Sequence, residues 1–151
     1  QIKKTAKQIK KKLEAYGLTP FLMTSGSKGL HITTPLTQTA TFDKVRAFTK
    51  KIAEELVEEN PKTLTVEIRK EKRGTKIFID TLRNQWAQLG VAPYSARAKE
   101  GAPIATPIEW SELSNSKLNP QAYTIKNIFR RLSRKKNPWK DFYKKAHALP
   151  E

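Results

Sequence analysis

Apolar residues at Ile2, Ala6, Ile9, Leu13 and Tyr16 recur at helical spacing with lysines between them, which predicts an amphipathic helix closed by Gly17. Past Pro20, the run Phe21 to Thr24 reads as a short strand and Leu30 to Leu36 as a second, with Pro35 restricting where that second strand can pair. Thr41 or Asp43 can cap a further helix whose Val45, Phe48, Ile52 and Leu56 share one face, and Asn60-Pro61 ends it. Leu64, Val66 and Ile68 then alternate with Thr65, Glu67 and Arg69. After the turn signal Lys72-Arg73-Gly74 comes Lys76 to Asp80, so the two runs predict a hairpin with one buried face. Periodicity is lost from Asn84 to Pro107, a stretch rich in proline and small residues that reads as a long loop, and loops of that length commonly carry function. A short helical stretch at Trp110 to Leu113, a strand at Tyr123 to Ile125 and a basic helix from Asn127 to before Pro138-Trp139 complete the pattern.

Length and charge narrow what such a chain does. At 151 residues it is one domain or a piece of one, with no apolar run approaching a membrane span. By elimination it is expected to be soluble and intracellular, and the absence of cysteine, which removes disulfides, thiolate metal sites and cysteine nucleophiles, leans toward the cytoplasm. A formal charge of +16 would repel itself unless a polyanion were a usual partner, and nucleic acid is the leading one. Lysines crowd the segment Lys3 to Lys12, and arginines and lysines crowd Arg130 to Lys145. Either run alone could be a solvated helix face. Glu54, Glu55, Glu58 and Glu59 form the only acidic block, expected on the exposed side of their helix.

Two stretches carry candidate chemistry. TSGSKGLH, from Thr24 to His31, lacks the spacing of a Walker loop but could receive a phosphate: Gly26 and Gly29 would let backbone N–H groups approach, Ser25 could donate, Lys28 supplies a point charge and His31 a second donor. An ordinary cationic hairpin turn reads the same way. If Ile77 and Ile79 face the core, Lys76, Phe78 and Asp80 share the other face, and an acid ending an apolar strand suits a metal ion or a turn cap equally. Arg73 and Arg97 flank this strand with guanidinium forks suited to phosphate oxygens.

Taken in order, TSGSKGLH, an arginine before a strand ending FID with Asn84 close behind, and APYSARAKEGAPIATPIEW resemble the polymerase domain of bacterial ligase D, of the archaeo-eukaryotic primase superfamily, which works in non-homologous end joining. The similarity runs in register from about Leu18 to Trp139, into the closing RRL and NPW segments. It implies an α/β (α+β) primase-polymerase-like fold, a mainly antiparallel sheet with helices packed on one face. It also implies nucleoside triphosphate binding by Ser25, Lys28, His31, Arg73 and Arg97, and a catalytic Mn²⁺ or Mg²⁺ ligand at Asp80. The family's Asp-x-Asp pair precedes the first helix read here, so residues 1–151 are expected to form the C-terminal portion of such a domain, with an incomplete metal site. Arg83 stands where the family usually has Gln. The partners implied are DNA ends, a nucleoside triphosphate, Ku and a ligase domain, in a bacterial cytoplasm at the nucleoid. The rival reading is a non-catalytic nucleic-acid-binding module.

Overall fold

A computed structural model describes residues 1–150. Helix α1 (Ile2–Ala15) ends as the spacing predicts: Gly17 has φ +74°, and the Gly17 and Leu18 N–H groups return to the carbonyls of Glu14 (2.9 Å) and Leu13 (3.1 Å). Helix α2 (Phe42–Glu59) is capped by Thr41, whose Oγ1 accepts from the Lys44 N–H. Its Phe48, Ile52 and Leu56 bury against Leu13 and Leu18 of the α1 end, together with Leu64. The acidic block is not simply a solvated face, because Glu55 and Glu59 both take Lys12 of α1, at 2.8 and 2.7 Å, and Tyr16 donates to Glu55 at 3.0 Å. The Lys12 hydrogen bond holds the Glu55 carboxyl below the usual carboxylate range.

Strands β1 (Phe21–Thr24) and β2 (Leu30–Thr33) form an antiparallel pair. Leu36, expected within the second strand, instead makes a separate parallel bridge to His147. β1 lies at the centre of the sheet because its other edge pairs with a strand that the sequence concealed inside the proline-rich stretch, β3 (Thr106–Ile108), also antiparallel. Proline is tolerated there because the Pro107 carbonyl points outward to accept from Arg131 (2.9 Å). The missing N–H therefore falls on the free edge and removes no ladder bond. Leu22, Ile32 and Ile108 face Ala6 of α1 in the second core cluster, so the helices cover one side of this sheet. Alternation sends Phe21, Met23 and His31 to the opposite side. There the ring of Trp139 stacks on that of Phe142, and both rings meet Phe21 edge-on. Two indoles clamp β1: Trp110 Nε1 donates to the Pro20 carbonyl (2.8 Å) and Trp139 Nε1 to the Leu22 carbonyl (2.9 Å). Trp86 instead is 77% exposed, edge-on to Phe42.

The expected hairpin is corrected. β4 (Leu64–Thr65) and β5 (Ile77–Phe78) pair in parallel, with Ile77 N–H donating to the Thr63 carbonyl (2.8 Å) and Ile79 N–H to that of Thr65 (2.9 Å). A reversal is possible because residues 66–76 double back through a 3₁₀ turn at Lys70–Lys72, pinned by the Arg73 guanidinium on the Glu67 and Ile68 carbonyls. Val66 and Ile68 are consequently exposed, despite their alternation. Ile77 and Ile79 do pack on the core, leaving Phe78 and Asp80 on the other face. Beyond the sheet, a 3₁₀ turn (Trp110–Ser114) precedes helix α3 (Ile128–Arg134), and the Tyr123 to Ile125 strand reduces to a single bridge between Pro103 and Thr124.

Candidate nucleotide-binding site

The loop between β1 and β2 closes on its own serine. Ser25 is buried, its Oγ accepts the N–H groups of Ser27 and Gly29 (both 3.1 Å), and its N–H donates to the Gly29 carbonyl (3.0 Å). Gly26, at φ +63°, donates its N–H to the Pro120 carbonyl (2.9 Å), and Gln121 Nε2 reaches the Ser27 carbonyl (3.1 Å). The amides of Gly26, Ser27 and Gly29 therefore have partners within the protein, so these three N–H groups are not open to an anion. Lys28 stands exposed at the tip. Sequence reasoning missed the 118–121 turn that holds this loop; the Asn119-Pro120 dipeptide signals a turn but not where the turn docks.

Arg97 comes to the same place from the proline-rich stretch, which is not structureless. Tyr94, at φ +64°, donates its N–H to the Ala105 carbonyl (2.6 Å), Arg97 N–H to Pro103 (2.8 Å) and Ala105 N–H to Ser95 (3.0 Å), around an antiparallel bridge of Ala96 with Ile104. This short ladder hangs from the start of β3, so β3 aims the arginine: its Nη1 donates to the Ser25 carbonyl at 3.2 Å. Gly26 is required by that approach, since a Cβ there would lie 2.7 Å from the Arg97 Cγ and 3.2 Å from the Ala105 nitrogen.

His31, half-buried on β2, feels both charged members of the group. Burial lowers its imidazole pKa below the ordinary value, the Arg97 cation lowers it further, and Asp80 opposes them by raising it. The imidazole is therefore neutral at physiological pH, with one nitrogen free to accept or to ligate. Because a lowered folded-state value means that the unfolded chain binds the proton more readily, His31 protonation subtracts stability as pH falls below about 6.5. In an NMR titration the His31 resonance is expected to move below that value, to shift upward in Arg97→Ala and further downward in Asp80→Asn. An unresponsive midpoint in both variants would separate His31 from the site.

Asp80 follows β5 directly, exposed, with Oδ1 accepting the Leu82 N–H (3.0 Å), so it serves the turn and keeps its second oxygen open. Arg73 is placed differently from the others. Two of its guanidinium nitrogens hold carbonyls and its plane lies 3.7 Å over the Phe78 ring, one strand step from Asp80. The structure thus ties Arg97 to Ser25 and sets His31 within electrostatic reach of Arg97 and Asp80, while Lys28 is exposed and Arg73 is engaged by carbonyls and the Phe78 ring. Among the described residues no group of three or more His, Asp or Glu side chains gathers to hold a metal ion. Asp80 and His31 alone do not fit a two-ion centre.

Comparison with known proteins bears on the family and the fold. The chain is 32% identical over 146 residues to the bifunctional non-homologous end joining protein LigD of Bacillus subtilis, covering 96% of this chain and 24% of that protein. It is 34% identical over 132 residues to the multifunctional LigD of Pseudomonas aeruginosa, covering 86% of this chain and 16% of that protein. The polymerase domain of Mycobacterium tuberculosis Ligase D, solved in complex with DNA, superposes with a TM-score of 0.89 at 29% identity, over 97% of this chain and 50% of that one. The chain therefore spans a quarter or less of those curated relatives and half of the solved domain. Since the family model for the LigD primase-polymerase domain matches residues 1–139, this α/β chain belongs to the LigD primase-polymerase family.

Proposed function

We propose that the chain is the C-terminal portion of a polymerase domain acting in non-homologous end joining, and that it binds the triphosphate of an incoming nucleotide. The observation that carries this reading is Arg97, carried by the β3 ladder onto the Ser25 carbonyl while its charge reaches His31. In this arrangement Lys28 and Arg97 neutralise phosphate oxygens, neutral His31 accepts from or ligates at the sugar-phosphate side, and Ser25 keeps the loop shaped. Arg73 steadies the strand that bears Asp80. Mn²⁺ or Mg²⁺ would compensate the charge of the pyrophosphate and lower the pKa of the attacking hydroxyl. Asp80 would supply one ligand to it, and a complete two-ion centre would need further carboxylates beyond those that the described residues gather. DNA ends, Ku and a ligase domain are the partners of this reading, in the bacterial cytoplasm at the nucleoid.

The test is triphosphate binding with and without Mn²⁺. Lys28→Ala is expected to weaken binding about tenfold, the equivalent of one charge-assisted contact of about 1.5 kcal/mol. Stability should stay within about 0.5 kcal/mol of the parent, since the side chain touches no core. Mn²⁺ should tighten binding to the parent chain. Affinity that ignores both the metal and Lys28 would favour the non-catalytic nucleic-acid-binding module instead.

A further inference from the structure

The basic face of α3 contains two kinds of cation. Asn127, Arg130, Arg131 and Arg134 fall at i, i+3, i+4 and i+7 and share one side of the helix. With Lys135 and Glu112 they line a shallow, open concavity of about 310 Å³. Arg131 is neutralised there: it grips Glu112 through both nitrogens (2.6 and 2.9 Å) and reaches the Pro107 carbonyl on the free edge of β3. The Asn127 side chain is likewise engaged, with the Ala122 carbonyl and the Thr124 N–H. Arg130, Arg134 and Lys135 are exposed, and among the described residues none has an acidic partner.

Arg130 and Arg134, one turn apart with like charge, destabilise a bare helix. A polyanion lying across the concavity reverses that sign. Its openness excludes the enclosure that a small ligand needs, whereas cations spread along a helix side match an anion whose charges repeat. Guanidinium forks favour phosphate oxygens. We propose that this concavity seats the phosphodiester backbone of a nucleic acid strand, gripped by Arg130, Arg134 and Lys135 over a floor made rigid by the Arg131–Glu112 pair. The inference rests on the reading that the chain works on nucleic acid, but it shares no residue with the triphosphate site.

The experiment compares DNA binding by the parent, by the triple variant Arg130→Gln/Arg134→Gln/Lys135→Gln, and by a charge-matched control, Lys11→Gln/Lys62→Gln/Lys117→Gln, across a salt series. Arg131 and Glu112 are untouched, so α3 stays anchored, and unchanged melting of each variant verifies it. The α3 variant is expected to bind about tenfold or more weakly, with the slope of log K against log salt reduced by about two to three, one for each lost phosphate contact. The control is expected to change much less, and triphosphate binding should be unaltered in both. Equal losses in the two variants would overturn the inference in favour of unlocalised charge. Loss of triphosphate binding in the α3 variant would assign these residues to the nucleotide site. Displacement of DNA by inorganic phosphate, but not by chloride at equal ionic strength, would make the concavity a small-anion site. A failure of the triphosphate reading alone leaves the α3 result standing, so the two fail separately.

Discussion

Replacing Glu112 by glutamine is expected to lower the stability of this chain by about 3 kcal/mol, a large part of the 5–15 kcal/mol typical of a domain. The side chains of Glu112 and Arg131 are only 15% and 8% accessible. Removing the carboxylate leaves a guanidinium desolvated and uncompensated, still facing the Tyr123 hydroxyl and the Pro107 carbonyl. Three segments meet at this pair: the turn after β3, the Tyr123 stretch and α3. The pH dependence carries the same signature. Burial pushes the Glu112 carboxyl up, but the Arg131 hydrogen bond and the Glu109 N–H pull it back past its ordinary value, so the net direction is down. A depressed folded-state value means stability that is present above the unfolded value, about 4.5, and lost as pH falls through the folded one. Denaturant midpoints measured from neutral to acid pH should fall for the parent and fall less steeply for Glu112→Gln, where Glu55 still contributes. Parallel curves would deny the pair its stabilising role.

Arg97→Ala is expected to weaken triphosphate binding by about 10- to 100-fold, more than any other single change at the site. It removes a guanidinium from the phosphates and also releases the Ser25 carbonyl, so the loop that positions Lys28 loses its tie to β3. Arg97→Lys restores the charge without the fork and should recover only part of the affinity. Calorimetric titration of the three proteins settles it, and equal affinities would remove Arg97 from the site.

The parts of this fold that were legible in the sequence are those whose signal is local. Gly17, Thr41 and the Phe48-Ile52-Leu56 face announce helix ends and a buried stripe through their own neighbours. The partner of β1 did not announce itself, because three residues containing a proline have no alternation to read. Thr106–Ile108 is a strand only by virtue of the neighbour that supplies its ladder. The direction of β5 failed for the complementary reason: Val66 and Ile68 have strand propensity but no partner, and the Arg73 guanidinium that turns the chain holds backbone carbonyls, which no side-chain pattern records. At the site, TSGSKGLH, Arg97 and Asp80 were visible as residue types, and the motif order that linked them comes from resemblance. That the Gly26 amide is already bonded follows only from the 118–121 turn docking on the loop, which no local pattern encodes, whereas the Ser27 and Gly29 amides bond locally to the Ser25 hydroxyl.

The placement of the three tryptophans divides the chain optically. Trp110 and Trp139 are half-buried and hydrogen-bonded to the backbone at Pro20 and Leu22, where the central strand begins, so their emission should be blue-shifted relative to that of Trp86 and should move to the red when the sheet opens. Trp86 projects from the segment that follows Asp80 and emits from water. Iodide, drawn in by the surplus of positive charge, would quench Trp86 first, while a cationic quencher of the same size would be held off. Motion of the segment beside the nucleotide site and loss of the tertiary fold are thereby written into separate channels of one spectrum, without a label.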